Sequence, residues 1–151
     1  MIWAILNLTG TKPMSADFFI DSNIALYAFD NATFKNEIAL GLIKSRPVIS
    51  TQVVLESINI CLKKFKFSKE VSYQHGMYLI DTCALKLIDK TTLVLAFKIS
   101  VQFQYSHWDS LIISSALQNN CKILYSEDLQ HGQVIRNKLT IVNPFLNPNT
   151  G

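Results

Sequence analysis

Four acidic residues stand where acids can do chemistry: Asp21 closing "FFID", Glu56 within "QVVLESINI", Asp109 within "SHWDSLII" and Asp128 in "ILYSEDLQHG". Asp21 and Asp128 each follow a short apolar, β-prone run, and open α/β sheets bind ligands at the carboxyl ends of their strands. Glu56 and Asp109 fall near the starts of helical segments entered from that same sheet edge. A parallel sheet with right-handed crossovers can therefore bring all four together. Gathered carboxylates repel by on the order of 4 kcal/mol per pair at about 4 Å and an effective dielectric near 20. Such a cluster needs a cation or must hold protons. Oxygen donors without thiolate or obligatory histidine suit Mg2+ or Mn2+, and one or two such ions activate water and stabilise in-line displacement at phosphorus. The chemistry these residues suit is phosphodiester cleavage.

Each acid also has an ordinary structural use. Asp21 can be a helix N-cap, Asp109 the last member of an S-x-x-D capping arrangement begun by Ser106, and Asp128 an Asx-turn residue. Glu56 fits such a use less well. Val54, Leu55, Ile58 and Leu62 mark the expected inner face of its helix, and an unpaired acid on a buried flank is costly.

The elements that would position these acids follow from periodicity and punctuation. Phe18-Phe19-Ile20 reads as a buried strand, after which "SNIALYAFD" turns helical. "NATFKNEIALGLIKSR" spaces Phe34, Ile38 and Leu42 as a helix, carries Lys44 and Arg46 in its last turn, and stops before Pro47. "PVIS" is a second strand, and Ser50 or Thr51 caps the helix that carries Glu56. A helix is predicted over 69–81 and a third strand in "ALKLI" at 84–88. The run "FKISVQFQYS" alternates strictly, as a strand does, yet Leu93, Ala96, Phe97 and Val101 also fit one helix face. "SHWDSLIISSALQNN" is the clearest helix, with Leu111, Ile112, Ser115 and Ala116 as its packing face, and "KILYS" and "KLTIV" read as the last strands. Strands alternating with helices predict an α/β domain with a mainly parallel central sheet.

In order and wording, "FFIDSNIALYAF", "ISTQVVLESINI", "SHWDSLIISSAL" and "ILYSEDLQHG" resemble the acidic motifs of the PIN-domain family, in particular its VapC-like toxin branch, from about Asp17 to about Phe145. The resemblance implies a three-layer α/β/α sandwich and a divalent-metal-dependent endoribonuclease, the toxin of a type II toxin-antitoxin pair. RNA would be its substrate, Mg2+ or Mn2+ its cofactor, a cognate antitoxin its partner, and a homodimer its assembly. Carried over residue by residue, Asp21 and Asp109 match the central metal ligands and Glu56 and Asp128 the remaining acids. Asn23 and Ser126 match polar positions that orient ligands or the attacking water, and Glu127 is a further, second-rank acid. The resemblance also favours a helix over 91–101. The chain departs from the family pattern in residues 1–16, which precede the usual first strand, and Met14 offers an alternative start. The expected division is an extension over 1–16, a nuclease domain over 17–145 and a tail over 146–151.

Bulk properties constrain the rest. With 151 residues, 49% of them hydrophobic, the chain suffices for one well-packed domain. Lys and Arg number 14 against 11 Asp and Glu, a mild excess that tolerates an anionic partner without requiring one. Cys61, Cys83 and Cys121 form no C-x-x-C pair, which points to reduced thiols and a cytoplasmic protein rather than a disulfide framework or thiolate zinc site. The opening "MIWAILNLTGTKP" lacks a basic flank and is too short for a signal core or membrane span.

Lys63, Lys64, Lys66 and Lys69, interleaved with Phe65 and Phe67, could follow a phosphate backbone with rings for stacking; the plainer expectation is a solvated helix end with both rings turned inward. His75, His107 and His131 lack paired spacing for metal-free acid–base cleavage, with His131 beside Asp128 the one to test. Trp108 is expected to pack at its helix entry, a wall of the substrate groove being the weaker reading. Among other functions, a receiver would want an acidic pair near Asp21 and a phosphoacceptor such as Asp89, whereas only Asp17 lies near Asp21. A non-catalytic RNA- or partner-binding module is the alternative from another class.

Overall fold

β1 (Phe18–Ile20) is only three residues long, and Phe19 and Ile20 have no solvent exposure, as a strand covered on both faces requires. The computed structural model that places it describes residues 14–29, 31 and 33–146. Residues 1–13 of the expected extension and 147–151 of the expected tail lie outside them.

β1 leads into α1 (Ser22–Leu26), a short 3-10 turn, and α2 (Phe34–Lys44). β2 (Val48–Ser50) follows, then α3 (Thr51–Lys63), α4 (Lys69–Thr82) and β3 (Ala84–Lys86). The second half contains α5 (Lys90–Phe103), α6 (His107–Gln118), β4 (Ile123–Tyr125), β5 (Val134–Ile135) and β6 (Leu139–Val142). The sheet order is β3-β2-β1-β4-β6-β5. Every pairing is parallel except β5 with β6. That antiparallel edge strand has no counterpart in the sequence expectation, because two residues are too few to establish a period.

The strand order explains the layers. From β1 the chain steps outward to β2 and β3, then returns past β1 to β4. With right-handed crossovers, that reversal puts the helices of the first half on one face and α5 and α6 on the other. The result is the expected three-layer α/β/α sandwich. α3 packs against α1 and α4, α5 packs against α6, and Phe19, Ile49, Ile112, Ile113, Leu124 and Ile141 meet in the core between. The reversal also creates a switch point between β1 and β4, where two neighbouring strands send their chains in opposite directions and leave a crevice at their carboxyl ends.

Residues 90–103 are helical, so the alternating pattern is not a strand. Asp89 and Thr92 form a reciprocal capping box, and Gln104 at φ 60° ends the helix. This use of Asp89 also accounts for the residue considered as a phosphoacceptor. The expected inner face requires correction: Thr92, Ala96 and Ile99 are buried, while Leu93, Phe97 and Val101 face outward. On α3, Val54 is buried but Leu55 is 66% exposed; Val53, Ser57 and Cys61 complete the inner row. In both helices apolar residues outnumber the inward positions, so composition overstates the buried face.

Candidate active site

Asp21 and Ser126 are the first residues beyond β1 and β4, on either side of the switch point. The ladder continues through them: Asp21 N–H donates to the Tyr125 carbonyl at 3.0 Å, and Ser126 N–H to that of Val142 at 3.0 Å. Asp21 caps α1, accepting from the Ser22 backbone N–H at 2.7 Å, so its ordinary structural use is real. Its second oxygen accepts from Ser126 Oγ at 2.9 Å and from Asn23 Nδ2 at 3.4 Å. One carboxylate thus joins a helix cap to the loop after β4.

The other acids connect to this centre through neutral side chains. Asn23 Nδ2 also donates to Asp128 Oδ2 at 3.0 Å, and Asp128 N–H to Ser126 Oγ at 3.2 Å. Ser22 Oγ donates to Glu56 Oε2 at 2.9 Å, and Gln52 Nε2 to Glu56 Oε1 at 2.7 Å. Asp109 lies in the first turn of α6, its N–H donating to Ser106 Oγ at 3.1 Å in the expected cap. Both Glu56 and Asp109 reach Asp21 electrostatically. Burial pushes the Asp21 carboxyl up to about 6; hydrogen bonds from Ser126 and the Ser22 N–H oppose the rise, and the charges of Glu56 and Asp109 add to it.

Ser22 and Gln52 carry no acid and have no place in the sequence expectation. Their only local signals are adjacency to Asp21 and a one-turn separation from Glu56. Glu127, the second-rank acid, lines the same groove as Asp128 and is paired there, with Lys35 Nζ and Tyr27 OH both donating to it. Lys35 also lies over the rings of Tyr27 and Phe145, at 4.9 and 5.1 Å from their centroids. Glu127 is an anchor for the loop, held about ninety residues along the chain from its cation.

The donor set fits a hard divalent cation. Asp21 is 6% exposed, and its hydrogen-bond partners are neutral donors beside two further acids, so nearby positive charge would favour its ionised form. Among the described residues no three Asp, Glu, His or Cys side chains stand close enough together to hold a metal ion as a group. Mg2+ does not require such a group, since it keeps several waters and uses one or two carboxylates.

The histidines do not assemble an acid–base pair. His75 is buried in α4 against Phe29, at 4.2 Å between ring centroids, and burial holds its imidazole down at about 4. His131 Nδ1 accepts the Asn143 N–H at 3.0 Å, while His107 stacks on Phe97. Trp108 does not pack inward as expected: the residue is 62% exposed, its ring lies edge-on to His107, and it lines a cavity of ≈ 390 Å³ with Glu56, Gln52 and Leu111.

Phe65 and Phe67 also depart from the expected inward packing. They are 38% and 36% exposed, lean on each other, and Phe67 meets Phe29. With Lys64, Tyr27, Asn23 and Asp128 they line an open groove of ≈ 530 Å³ that runs to the acids. Lys63 and Lys66 are exposed beside it.

Comparison with known proteins agrees with this architecture. The crystal structure of VapC20 from Mycobacterium tuberculosis, described as a sarcin-ricin loop cleaving toxin, superposes with a TM-score of 0.60 at 13% identity, covering 74% of this chain and 89% of that one. At that identity the likeness is one of fold. No curated protein matches the sequence. The family model for the PIN domain matches residues 18–136, a span that runs from β1 past the loop bearing Asp128, and the chain belongs to the PIN domain family.

Proposed function

We propose that this protein is a divalent-metal-dependent endoribonuclease, the VapC-like toxin of a toxin-antitoxin pair. The observation that carries the proposal is the connection of Asp21, Glu56 and Asp128 through Ser22, Asn23 and Ser126 at the sheet's switch point, with Asp109 in electrostatic reach. Similarity to a toxin described as cleaving the sarcin-ricin loop supports RNA as the substrate class.

Asp21, Asp109, Glu56 and Asp128 would hold Mg2+ or Mn2+, directly or through water. The ion would supply an activated water and charge stabilisation at the phosphoryl oxygens. Asn23 and Ser126 orient Asp21 and Asp128, and Ser22 orients Glu56. Burial holds the Asp21 carboxyl up at about 6, and positive charge beside it would favour its ionised form. The groove with Lys64, Phe65 and Phe67 offers the RNA a cation for phosphate and rings for unstacked bases.

A cognate antitoxin is proposed as the inhibitor, presenting a basic side chain to the acids. Pairing with a second copy is proposed as well, supported by the outward apolar stripe of Val94, Phe97 and Val101 on α5; Phe97→Glu should then leave a monomer by light scattering. The cytoplasm is the proposed compartment, consistent with three free, buried thiols. Among the described residues no helix is long and apolar enough to cross a membrane.

The test is incubation of the purified protein, freed of any partner, with a mixed RNA pool with and without Mg2+ or Mn2+, beside Asp109→Asn. Metal-dependent cutting that disappears in the variant is the expected result. RNA binding without cutting, in metal-loaded protein, would instead assign a non-catalytic RNA-binding module.

A further inference from the structure

We infer that Gln52 is a positioning residue of the acidic site: its amide fixes the Glu56 carboxylate at a set reach from the α6 entry that carries Asp109. The inference rests on the metal-dependent function proposed above and adds to the site a residue outside its acidic motifs.

Gln52 is 6% exposed and lies one turn before Glu56 on α3. Its Nε2 donates to Glu56 Oε1 at 2.7 Å and to the Trp108 carbonyl at 3.0 Å. The carbonyl is an acceptor only, and so is the carboxylate when ionised. Turning the amide over would set its oxygen against both, so the nitrogen must face them. Trp108 directly precedes Asp109 in the first turn of α6. One amide therefore ties the acid on α3 to the backbone beside the acid on α6, two helices on opposite faces of the sheet.

That orientation has a cost. Gln52 Oε1 is buried and has no hydrogen-bond partner among the described residues, and a buried unpaired acceptor destabilises a fold. For packing alone, an apolar side chain of similar length would serve better. The amide makes sense through what its nitrogen holds. Ser22 Oγ donates to the other oxygen of the same carboxylate, Glu56 Oε2, at 2.9 Å. Glu56 is half-buried and would otherwise sample several rotamers; with a donor on each oxygen it has one orientation, and each oxygen keeps lone-pair capacity for a cation.

Gln52→Met tests this, because it keeps the length and helix propensity and removes both the donor and the unpaired acceptor. Mn2+ affinity is measured by titration calorimetry on the full chain, together with the metal-free melting temperature, in wild type, Gln52→Met, Glu56→Gln and the double variant. Mn2+ binding should weaken about 10- to 100-fold in Gln52→Met, with a melting temperature equal to or above wild type. In the Glu56→Gln background the same change should alter Mn2+ affinity by less than about twofold, because the group it positions is gone. Wild-type Mn2+ affinity in Gln52→Met overturns the inference, as does an equal loss in both backgrounds, which would mark general loosening. Wild type that binds no Mn2+ would instead remove the metal site itself, and the positioning role with it.

Discussion

The backbone N–H of Glu127 donates to Oδ1 of Asn23 at 3.2 Å, and this contact decides which way the Asn23 amide faces. With its oxygen committed to the loop, its nitrogen must point to Asp21, Ser126 and Asp128, at 3.4, 3.3 and 3.0 Å. Two acids that would repel each other are thereby bridged by one neutral donor. Glu127 is held in turn by Lys35 and Tyr27, so the orientation is set from outside the acidic cluster.

Asn23→Asp should break this bridge while keeping the size of the side chain. One carboxylate oxygen can still accept the Glu127 N–H, but the other now faces Asp21 and Asp128 without a proton to donate. RNA cleavage is expected to fall about 10- to 100-fold. The check is initial rates at saturating Mg2+, with circular dichroism to show an unchanged fold. Wild-type rates would remove Asn23 from the machinery.

Lys35→Met addresses the anchor. Burial acts to raise the Glu127 carboxyl, but hydrogen bonds from Lys35 and Tyr27 and the Lys35 charge leave it below its ordinary value. A lowered folded-state value means stability that is present above the unfolded value of 4.5 and is lost as pH falls through the folded one. Removing the partly exposed Lys35 should cost about 1 kcal/mol near neutral pH, and the acid-side loss of stability should shrink. Urea melts of both proteins from neutral to acidic pH would show it; parallel curves would contradict the anchor.

The parts of the site that the sequence reveals are those that depend on neighbours along the chain. Asp21 and Asp128 follow apolar strand runs, and Ser106 with Asp109 announces a helix start. Lys35 and Tyr27 meet Glu127 across about ninety or more residues, and no local pattern predicts that contact. Over 97–106 the period alone points to a strand because Phe97 and Val101 are apolar yet face outward; the helix expected over 91–101 rests on the family resemblance, and the structure has it, with Ala96 and Ile99 packed inward. Leu55 and Phe65 misled likewise, since an exposed apolar residue looks in sequence like a core residue.

Asp21 gives a pH signature. Burial holds its carboxyl near 6 when the chain is folded, against 3.8 as the ordinary value. Between those values the folded chain keeps a proton that the unfolded chain has released, so stability of the metal-free protein falls as pH rises and stays lower above pH 6. The difference corresponds to about 3 kcal/mol as an upper figure. Asp21→Asn should therefore melt higher than wild type near neutral pH without metal, while losing RNA cleavage. Added Mg2+ should raise the melting temperature of wild type and leave the variant where it was. A variant that melts lower at neutral pH would show that the ionised Asp21 carboxylate stabilises the metal-free fold.

Lys64 and Phe65 line the same groove as Asp128 but offer different chemistry, and their variants should fail differently. Lys64→Gln removes one phosphate contact, so RNA affinity should fall modestly and the slope of log affinity against log salt should flatten by roughly 0.7 for single strands. Phe65→Ala removes a stacking surface worth about 1–3 kcal/mol per base. Its affinity should drop at every salt concentration with the slope unchanged. Phe65→Tyr should restore binding, whereas Phe65→Leu, apolar but without a π face, should not. Fluorescence anisotropy with a single-stranded oligonucleotide and Asp109→Asn protein measures all four without cleavage. If Phe65→Leu binds like wild type, the ring is a hydrophobic wall, and the bases of the RNA lie elsewhere.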